Sequence, residues 1–438
     1  MSSLIDAIPW EALITWSSLA VGLTATLITT IVRRRYLSAI SNIPGPFWAS
    51  LTRLWHVWII LEGRQNERLV ALHKRYGPFV RIAPNEVSVC HRDASTFLLR
   101  ANLHKGDWYH VTAVPDFRFR NPMSTTDPRK KKALSKHFAP GYAPSKVWGW
   151  ESDINRNIEC LLSWIDAYAE DEKPMHLDKF ITYTTFDNIG SVFFSEPFGF
   201  IKAGRDIGGT LRNNVTLSKF AAAAGFFLVP LRILVNPLTS WMLLLPMGRL
   251  YRTTSAALRK RMSNPSAGDD MLSHWLRASE ESGTLSVREI EAQANSVVYH
   301  MIRHPKAWST ARDEIDAARA QGRCQHRVVS SHDAQSLPYV QACVKESLRL
   351  FSPTTMGLPL HLSTDIWGTD AHQWHPERWM SGYTKELEKN WLVVSKVVAS
   401  LIHCYDIRQV DPDSVWNYQA NFTALTHSWP VYVKKRMD

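Results

Sequence analysis

Residues 345–353 read Lys345-Glu346-Ser347-Leu348-Arg349-Leu350-Phe351-Ser352-Pro353, and residues 374–379 read Trp374-His375-Pro376-Glu377-Arg378-Trp379. On a helix, Glu346 and Arg349 are three residues apart and therefore share a face. The apolar residues around them predict a helix that is buried on all sides. A buried carboxylate needs a partner for each oxygen, and Arg378, which follows the rigid Pro376, can supply a second guanidinium. The stretch therefore predicts a buried cluster of Glu346, Arg349 and Arg378.

An isolated Glu-x-x-Arg pair is weak evidence by itself. Such pairs are usually exposed and contribute only about 0.3–0.5 kcal/mol. The rest of the chain must therefore decide between a surface pair and a buried cluster.

Composition limits the class of protein. The chain has 438 residues, of which 45% are hydrophobic, so it can bury a sizeable core in one large domain or two to three smaller ones. Its formal net charge of +11 favours an anionic partner, such as a membrane surface or an acidic protein. No nucleic-acid-binding motif accompanies this charge, so we expect no nucleic-acid partner. Five scattered cysteines favour a reducing compartment over a disulfide framework.

A long uncharged run lies near the N-terminus, from Ala12 to Val32. As a helix it is long enough to cross a hydrocarbon core of about 30 Å. Asp6 and Glu11 precede the run and Arg33-Arg34-Arg35 follows it, so the positive-inside tendency predicts a lumenal segment at residues 1–11 and a cytosolic bulk. A cleaved signal peptide fits poorly because no small-residue cleavage site precedes the arginines; a buried soluble helix is the other alternative. We therefore predict a single-pass transmembrane anchor at 12–32 in the endoplasmic reticulum membrane.

The following segment, residues 33–46, is basic and ends with Ile43-Pro44-Gly45-Pro46. Proline fixes φ and glycine allows a tight turn. The segment is therefore predicted to be a stiff hinge that holds the domain at 47–438 at a set angle to the membrane, and an ordinary turn is the alternative.

Two further stretches predict regular structure. Apolar residues alternate on either side of Pro84-Asn85, which predicts a β-hairpin. Asp127 followed by Pro128 predicts a helix start, with Asp as the N-cap and Pro in the first helical position.

These phrases resemble the cytochrome P450 superfamily of haem-thiolate monooxygenases. The resemblance rests on the two stretches quoted first and on the hairpin phrase Tyr76-Gly77-Pro78, Val80-Arg81-Ile82, Pro84-Asn85-Glu86. It covers the chain from Ile43 to the C-terminus and is closest to fungal microsomal enzymes of the pisatin-demethylase kind. It implies a mainly α fold with a small β portion, in which Glu346, Arg349 and Arg378 lock together beside the haem-binding loop.

The resemblance also implies a cofactor and partners. The cofactor is haem, the substrate is a lipophilic small molecule, and the electron donor is NADPH-cytochrome P450 reductase. The basic helix after Asp127 corresponds to one that meets the haem propionates and the reductase, a role that the resemblance assigns to Lys131 and Lys132; a solvated face is the alternative. The apolar, Pro-interrupted stretch Lys219–Leu250 corresponds to membrane-contacting helices over the substrate entrance, with core helices as the alternative.

Three places depart from the family pattern while their flanks are intact. The helical pattern at Ser286–Arg303 runs directly into His304-Pro305, and the chain contains no Ala-Gly-x-Asp-Thr, the family's proton-delivery sequence. Near Leu360-His361 the usual strands have shrunk. After Asn390-Trp391-Leu392 the chain lacks the Phe-Gly-x-Gly-x-Arg-x-Cys-x-Gly loop, whose Cys thiolate is the axial iron ligand. The central helix and the haem loop are therefore predicted to be truncated through mis-splicing, a gene-model error or a true loss.

Cys404 is the only cysteine near the lost loop. It occupies what looks like the end of the last helix, where the family carries an aromatic core residue. A free cysteine usually packs as a small hydrophobe, so we expect a packing role for Cys404 and His403, with a stand-in iron ligand as the alternative.

The sequence as a whole predicts a cytochrome P450 monooxygenase-like protein of fungal secondary metabolism. Its parent activity is oxidation of a lipophilic small molecule, and this chain is expected to bind haem poorly and to turn over little. One alternative is a membrane-tethered, non-catalytic pseudoenzyme that modulates a paralogue or its reductase. The other is a haem-dependent isomerase or dehydratase, which still needs an iron ligand.

Overall fold

A computed structural model of the protein describes residues 10–91, 105–113, 123–138, 149–227, 229, 259, 263, 301–350, 373–380, 392–415, 417–421 and 424–436. The chain divides into two compact units, unit 1 at Met1–Leu99 and unit 2 at Arg100–Asp438. The predictions at Ser286–His300, Leu360-His361 and Asn390-Trp391, and most of the stretch Lys219–Leu250, lie outside the described residues.

Unit 1 contains four helices and one hairpin among its described residues. They are α1 (Trp10–Arg35), α2 (Phe47–Leu51), α3 (Leu54–Glu62), α4 (Gln65–Tyr76), β1 (Phe79–Ala83) and β2 (Glu86–Val89).

Unit 2 is mainly helical, with short strands near its C-terminus. Its helices are α5 (Pro128–Phe138), α6 (Glu151–Glu170), α7 (Leu177–Phe194), α8 (Phe200–Ala203), α9 (Thr210–Ala224), α10 (Pro305–Ala320), α11 (Ser331–Gln335), α12 (Pro338–Leu350) and α13 (Leu392–Cys404). Short 3₁₀ segments cover Asp107–Ala113, Ile207–Gly209 and Pro376–Trp379. The strands are β3 (Met175–His176), β4 (Tyr405–Gln409), β5 (Asn417–Ala420), β6 (Ala424–His427) and β7 (Pro430–Lys435). This mainly helical fold with a small sheet portion confirms the predicted fold class.

The hairpin predicted around Pro84-Asn85 is confirmed. Strands β1 and β2 pair antiparallel, with Val80 opposite Ser88 and an irregularity in register after Arg81. Buried His73 fastens α4 to this hairpin, since its Nε2 lies 2.7 Å from Ser88 Oγ and its Nδ1 lies 2.8 Å from the Gly77 carbonyl oxygen. Gly77 has φ of 92°, so it ends α4 in a conformation that favours glycine.

The core of unit 2 is built from helices packed on a three-stranded sheet of order β3-β7-β4. Helix α6 turns its apolar side inward at i, i+4 and i+7 spacing, with Ile154, Ile158 and Leu161 fully buried. The fully buried Tyr405 donates its hydroxyl to Asp166 at 2.6 Å, which ties β4 to α6.

Polar contacts from three segments hold helix α13. The buried Lys396 pairs with Glu151 at the start of α6. Ser395 Oγ accepts a hydrogen bond from Gln341 of α12, and Ser400 Oγ accepts one from the backbone N–H of Val329. These contacts fix helix α13 to α6, to α12 and to the segment before α11.

The transmembrane anchor predicted at 12–32 is not supported. Within the described parts of the chain, no helix combines the length and the apolar character that a membrane crossing needs. Helix α1 is 26 residues long, and its last turn carries three arginines.

Candidate functional site

A carboxylate from α10 caps helix α12. Glu314 accepts hydrogen bonds from the backbone N–H groups of Tyr339 at 2.8 Å and Val340 at 3.0 Å, which a helix N-terminus would otherwise leave unpaired. Burial raises the pKa of Glu314, although these two bonds act in the opposite direction. The cap fixes the direction in which α12 carries its two charged residues.

The Glu346 carboxylate is fully buried, and Arg349 holds both of its oxygens. Arg349 Nε lies 2.8 Å from Oε2 and Nη2 lies 2.7 Å from Oε1, a bidentate geometry. Arg378, from the 3₁₀ segment at Pro376–Trp379, donates its Nε–H to Oε1 at 3.0 Å. The structure thus brings Glu346, Arg349 and Arg378 together into what we call the buried ion cluster.

Neutral donors complete the environment of Glu346. The backbone N–H of His375 donates to Oε1 and the indole N–H of Trp379 donates to Oε2, each at 2.8 Å. Burial by itself raises the pKa of Glu346, but the hydrogen bonds from Arg349, His375 and Trp379 outweigh it, so the pKa lies below its ordinary value. The carboxylate is therefore ionised at neutral pH and engaged on both oxygens, which suits a positioning role and not proton transfer.

Further contacts tie the segment 373–380 to α12 and to the start of α10. The Trp374 indole N–H donates to Ser347 Oγ at 3.0 Å, and its ring stacks on His304 with centroids 4.6 Å apart. Tyr339 donates its hydroxyl to Glu377 at 2.9 Å. Two segments far apart in sequence are therefore joined by charged, polar and aromatic contacts.

Sequence reasoning named the three charged residues of the cluster but missed its neutral donors. Trp379 offered the one available signal, because a buried indole N–H usually finds an acceptor. The hydrogen bond from the backbone N–H of His375 could not be predicted from residue types, because the position of that N–H depends on the path of residues 373–380.

The predicted haem-side lysines lie on helix α5. Asp127 Oδ1 accepts the backbone N–H of Arg129 at 2.8 Å, so the predicted cap is confirmed. Lys131 and Lys132 are exposed on this helix. Burial, followed by the charge of Lys131, lowers the pKa of nearby Lys105 to about 8. This surface is basic, and the role of the two lysines toward haem stays a prediction.

All five cysteines of the chain lie in described residues as free thiols, at Cys90, Cys160, Cys324, Cys343 and Cys404. Cys404 is the last residue of α13, and its Sγ lies 3.6 Å from the Arg327 carbonyl oxygen. Burial raises the pKa of Cys404, and burial also raises that of Cys343 and brings that of Cys324 to about 11. Cys404 packs against the core of unit 2, as its expected packing role requires.

Three of these thiols are placed for packing. Burial favours the neutral thiol at Cys324, Cys343 and Cys404, whereas a reactive or metal-binding cysteine is a thiolate. Cys160 lies on α6 and Cys90 follows β2. No group of three or more His, Cys, Asp or Glu side chains that could hold a metal occurs within the described ranges.

Comparison with known proteins identifies the family. The family model for cytochrome P450 matches residues 46–372, well over half of the chain. Curated relatives include cytochrome P450 monooxygenase cicH of Emericella nidulans, which is 24% identical over 94% of this chain and 97% of the relative. Cytochrome P450 monooxygenase gsfF of Penicillium aethiopicum is 24% identical over 91% of this chain and 94% of the relative.

The chain belongs to the cytochrome P450 family, which confirms the resemblance found in the sequence. Its relatives are monooxygenases, so the chain is by family an oxidoreductase whose cofactor is haem. The alignment with cicH runs over 494 positions, more than the 438 residues of the chain. The relative therefore has residues within that alignment for which this chain has no counterpart.

Proposed function

We propose that this chain derives from a fungal monooxygenase of secondary metabolism and is itself impaired in that chemistry. The parent reaction is oxidation of a lipophilic small molecule with O₂ and electrons from NADPH-cytochrome P450 reductase. The observation that carries the impairment is the absence from the sequence of the family's Cys-bearing haem loop, together with the burial that raises the pKa of Cys324, Cys343 and Cys404. Relatives named as monooxygenases support the parent activity.

The haem of a working enzyme needs an axial ligand, which the family supplies from the cysteine of the haem loop. Haem supplies the oxygen chemistry of the family, and the protein supplies the ligand, the proton path and the pocket. The chain retains the scaffold around the buried ion cluster, while the proton-delivery sequence and the haem loop are missing from its sequence. The structural residues of the family are therefore better preserved in this chain than the sequences that bind haem and deliver protons.

The absorption spectrum of the purified full chain, reduced and exposed to carbon monoxide after incubation with haem, tests this proposal. We expect no thiolate-ligated haem band. A C404S variant is the matched control, because Cys404 is the cysteine nearest in sequence to the missing loop. A thiolate band that is present in the unsubstituted chain and absent in C404S would contradict the proposed impairment. It would show that Cys404 ligates haem iron.

The same spectrum separates the alternatives. A band shifted toward that of histidine-ligated haem would favour the haem-dependent isomerase or dehydratase, because either reaction needs an iron ligand but no proton-delivery pair. The absence of any haem band would favour the pseudoenzyme. The exposed basic surface of α5 supports this second candidate, since it suits an acidic partner such as the reductase. Measuring reductase turnover on a full-length paralogue, with and without this chain, tests the modulation directly.

We also propose that the protein associates with the endoplasmic reticulum membrane from the cytosolic side. Unit 1 exposes large apolar side chains, including Trp48 at 63%, Trp58 at 57% and Leu37 at 74%. Arg33-Arg34-Arg35 would favour anionic headgroups. Flotation with vesicles that contain anionic lipid tests this, and a W48S/W58S variant should float less. Equal flotation of both proteins would exclude this surface as the contact.

A further inference from the structure

A buried arginine bridges two elements of unit 1. Arg81 in β1 is 1% exposed, and its Nη2 donates to the Arg34 carbonyl oxygen at 2.6 Å and to the Pro84 carbonyl oxygen at 2.7 Å. Arg34 lies in the last turn of α1, and Pro84 lies in the turn of the hairpin. A single nitrogen atom therefore links the C-terminal end of α1 to the β1–β2 hairpin.

The charge of Arg81 has an unusual environment. Among the described residues, its Nε and Nη1 atoms have no hydrogen-bond partner, and only carbonyl oxygens accept from Nη2. Burial and then the charge of Arg35 lower the pKa of Arg81. Burying a cation without an acidic partner costs several kcal/mol. Some other source of negative potential must therefore offset this cost.

The end of helix α1 is that source. The last four carbonyl groups of a helix lack intrahelical partners and carry a partial negative charge. Arg34 contributes one of these carbonyls, so Arg81 acts as a C-terminal cap donated from a strand 47 residues away. The cap exists only while α1 remains helical through its last turn.

Backbone contacts hold the intervening segment close to the same strand. The backbone N–H of Arg81 donates to the Pro44 carbonyl oxygen at 2.8 Å. A Cβ atom on Gly45 would lie 2.3 Å from the Arg81 carbonyl oxygen, so only glycine fits there. The Arg34 side chain in turn donates to the Leu51 carbonyl oxygen at 2.8 Å.

We propose that Arg81 is an energetic joint between α1 and the hairpin, so that the stability of each depends on the other. Any surface that orders the last turn of α1, such as a membrane or a micelle, also stabilises the hairpin through this joint. Disorder in that turn leaves the buried guanidinium with the Pro84 carbonyl as its remaining acceptor and destabilises the hairpin. Arg81 is therefore a positioning residue whose contribution changes with the state of a distant helix.

A double-mutant comparison in the full chain tests this joint. The variants are R81M, V32P and V21P, alone and with R81M in each proline background. Val32 and Val21 are both exposed on α1, at 40% and 69%, and a proline inside a helix breaks the hydrogen-bond ladder at either place. Only Val32 lies in the turn that Arg81 caps, so V21P is the matched control. The readout is hydrogen exchange of the amides in β1 and β2.

We expect R81M to speed exchange of these amides roughly tenfold or more in the parent chain and in V21P, because hydrogen bonds to a charged group are lost. In V32P the Arg34 carbonyl is displaced and only the Pro84 carbonyl remains as an acceptor, so R81M should speed exchange less than it does in V21P. An equal effect of R81M in both proline backgrounds would overturn the joint. If R81M fails to fold, V32P and V21P alone decide, since only V32P should speed exchange in the hairpin.

Discussion

Replacement of Glu346 should lower the free energy of unfolding of unit 2. Glu346 is fully buried and pairs with Arg349 and Arg378, so E346Q removes the negative charge that a buried and a half-buried guanidinium share. Breaking a buried pair in this way typically costs about 3–5 kcal/mol. Chemical denaturation of the full chain should show this loss. The control D171N removes an exposed pair with Lys173 and should cost far less, because such pairs are screened by solvent.

The depressed pKa of Glu346 also fixes the sign of a pH effect. Its stabilisation is fully present above the ordinary value of 4.5 and is lost as the pH falls through the lower pKa of the folded state. The stability difference between the parent chain and E346Q should therefore shrink below pH 4.5. A difference that stays constant down to the acid transition of the protein would contradict this assignment.

The buried His56 should make the stability of unit 1 depend on pH, in a higher pH range than Glu346 does for unit 2. Burial and then the charge of Arg53 lower the pKa of His56 from 6.5 to about 4, so the unfolded chain binds a proton before the folded chain does. Stability should fall as the pH drops from about 6.5 to about 4, by roughly 3 kcal/mol in all. Hydrogen exchange of α3 measured across this range should show the fall. H56Q should flatten it, whereas H332Q at an exposed position should leave it unchanged.

At the scale of elements, helix α13 depends on one buried ion pair. Lys396 has no exposed side-chain surface, and Glu151, which pairs with it, also accepts the backbone N–H of Ser331. E151A therefore leaves a buried ammonium and an unpaired backbone donor, and should destabilise the protein by about 3–5 kcal/mol. K396M instead removes the buried charge and should cost less than about 2 kcal/mol. Thermal unfolding of both variants measures the difference, and equal losses would show that the pair acts only through packing.

Elements also show what the sequence could and could not predict. The i, i+3 spacing of Glu346 and Arg349 is local, as are the Asp127 cap and the alternation of β1 and β2, so all three could be read from short stretches. Lys396 looks like an ordinary solvated lysine in sequence, because its partner Glu151 lies 245 residues away. The burial of Arg81 could not be predicted from the sequence either. Its acceptors are backbone carbonyl oxygens, and one of them belongs to another element. Burial of these two residues depends on partners that are distant in sequence, and a local sequence pattern does not predict such partners.

At the scale of the whole molecule, the family is shown and the loss of activity is our proposal. The family match and the buried ion cluster argue for the cytochrome P450 scaffold. Helix α13 is held through protein partners by Lys396, Ser395 and Ser400. We therefore expect the folded state of unit 2 to be independent of haem.

Hemin titration followed by thermal or chemical unfolding tests this independence. A ligand that binds only the folded state raises its stability by RT ln(1 + [L]/Kd), or about 2.7 kcal/mol at a hundred times Kd. We expect hemin to leave the midpoint of unit 2 unchanged, because the buried thiols of Cys343 and Cys404 favour the protonated form that does not ligate iron. Nonspecific association would raise the midpoint equally in the parent chain and in C404S. A concentration-dependent rise that C404S abolishes would instead identify a specific ligand and show that the fold still holds its haem.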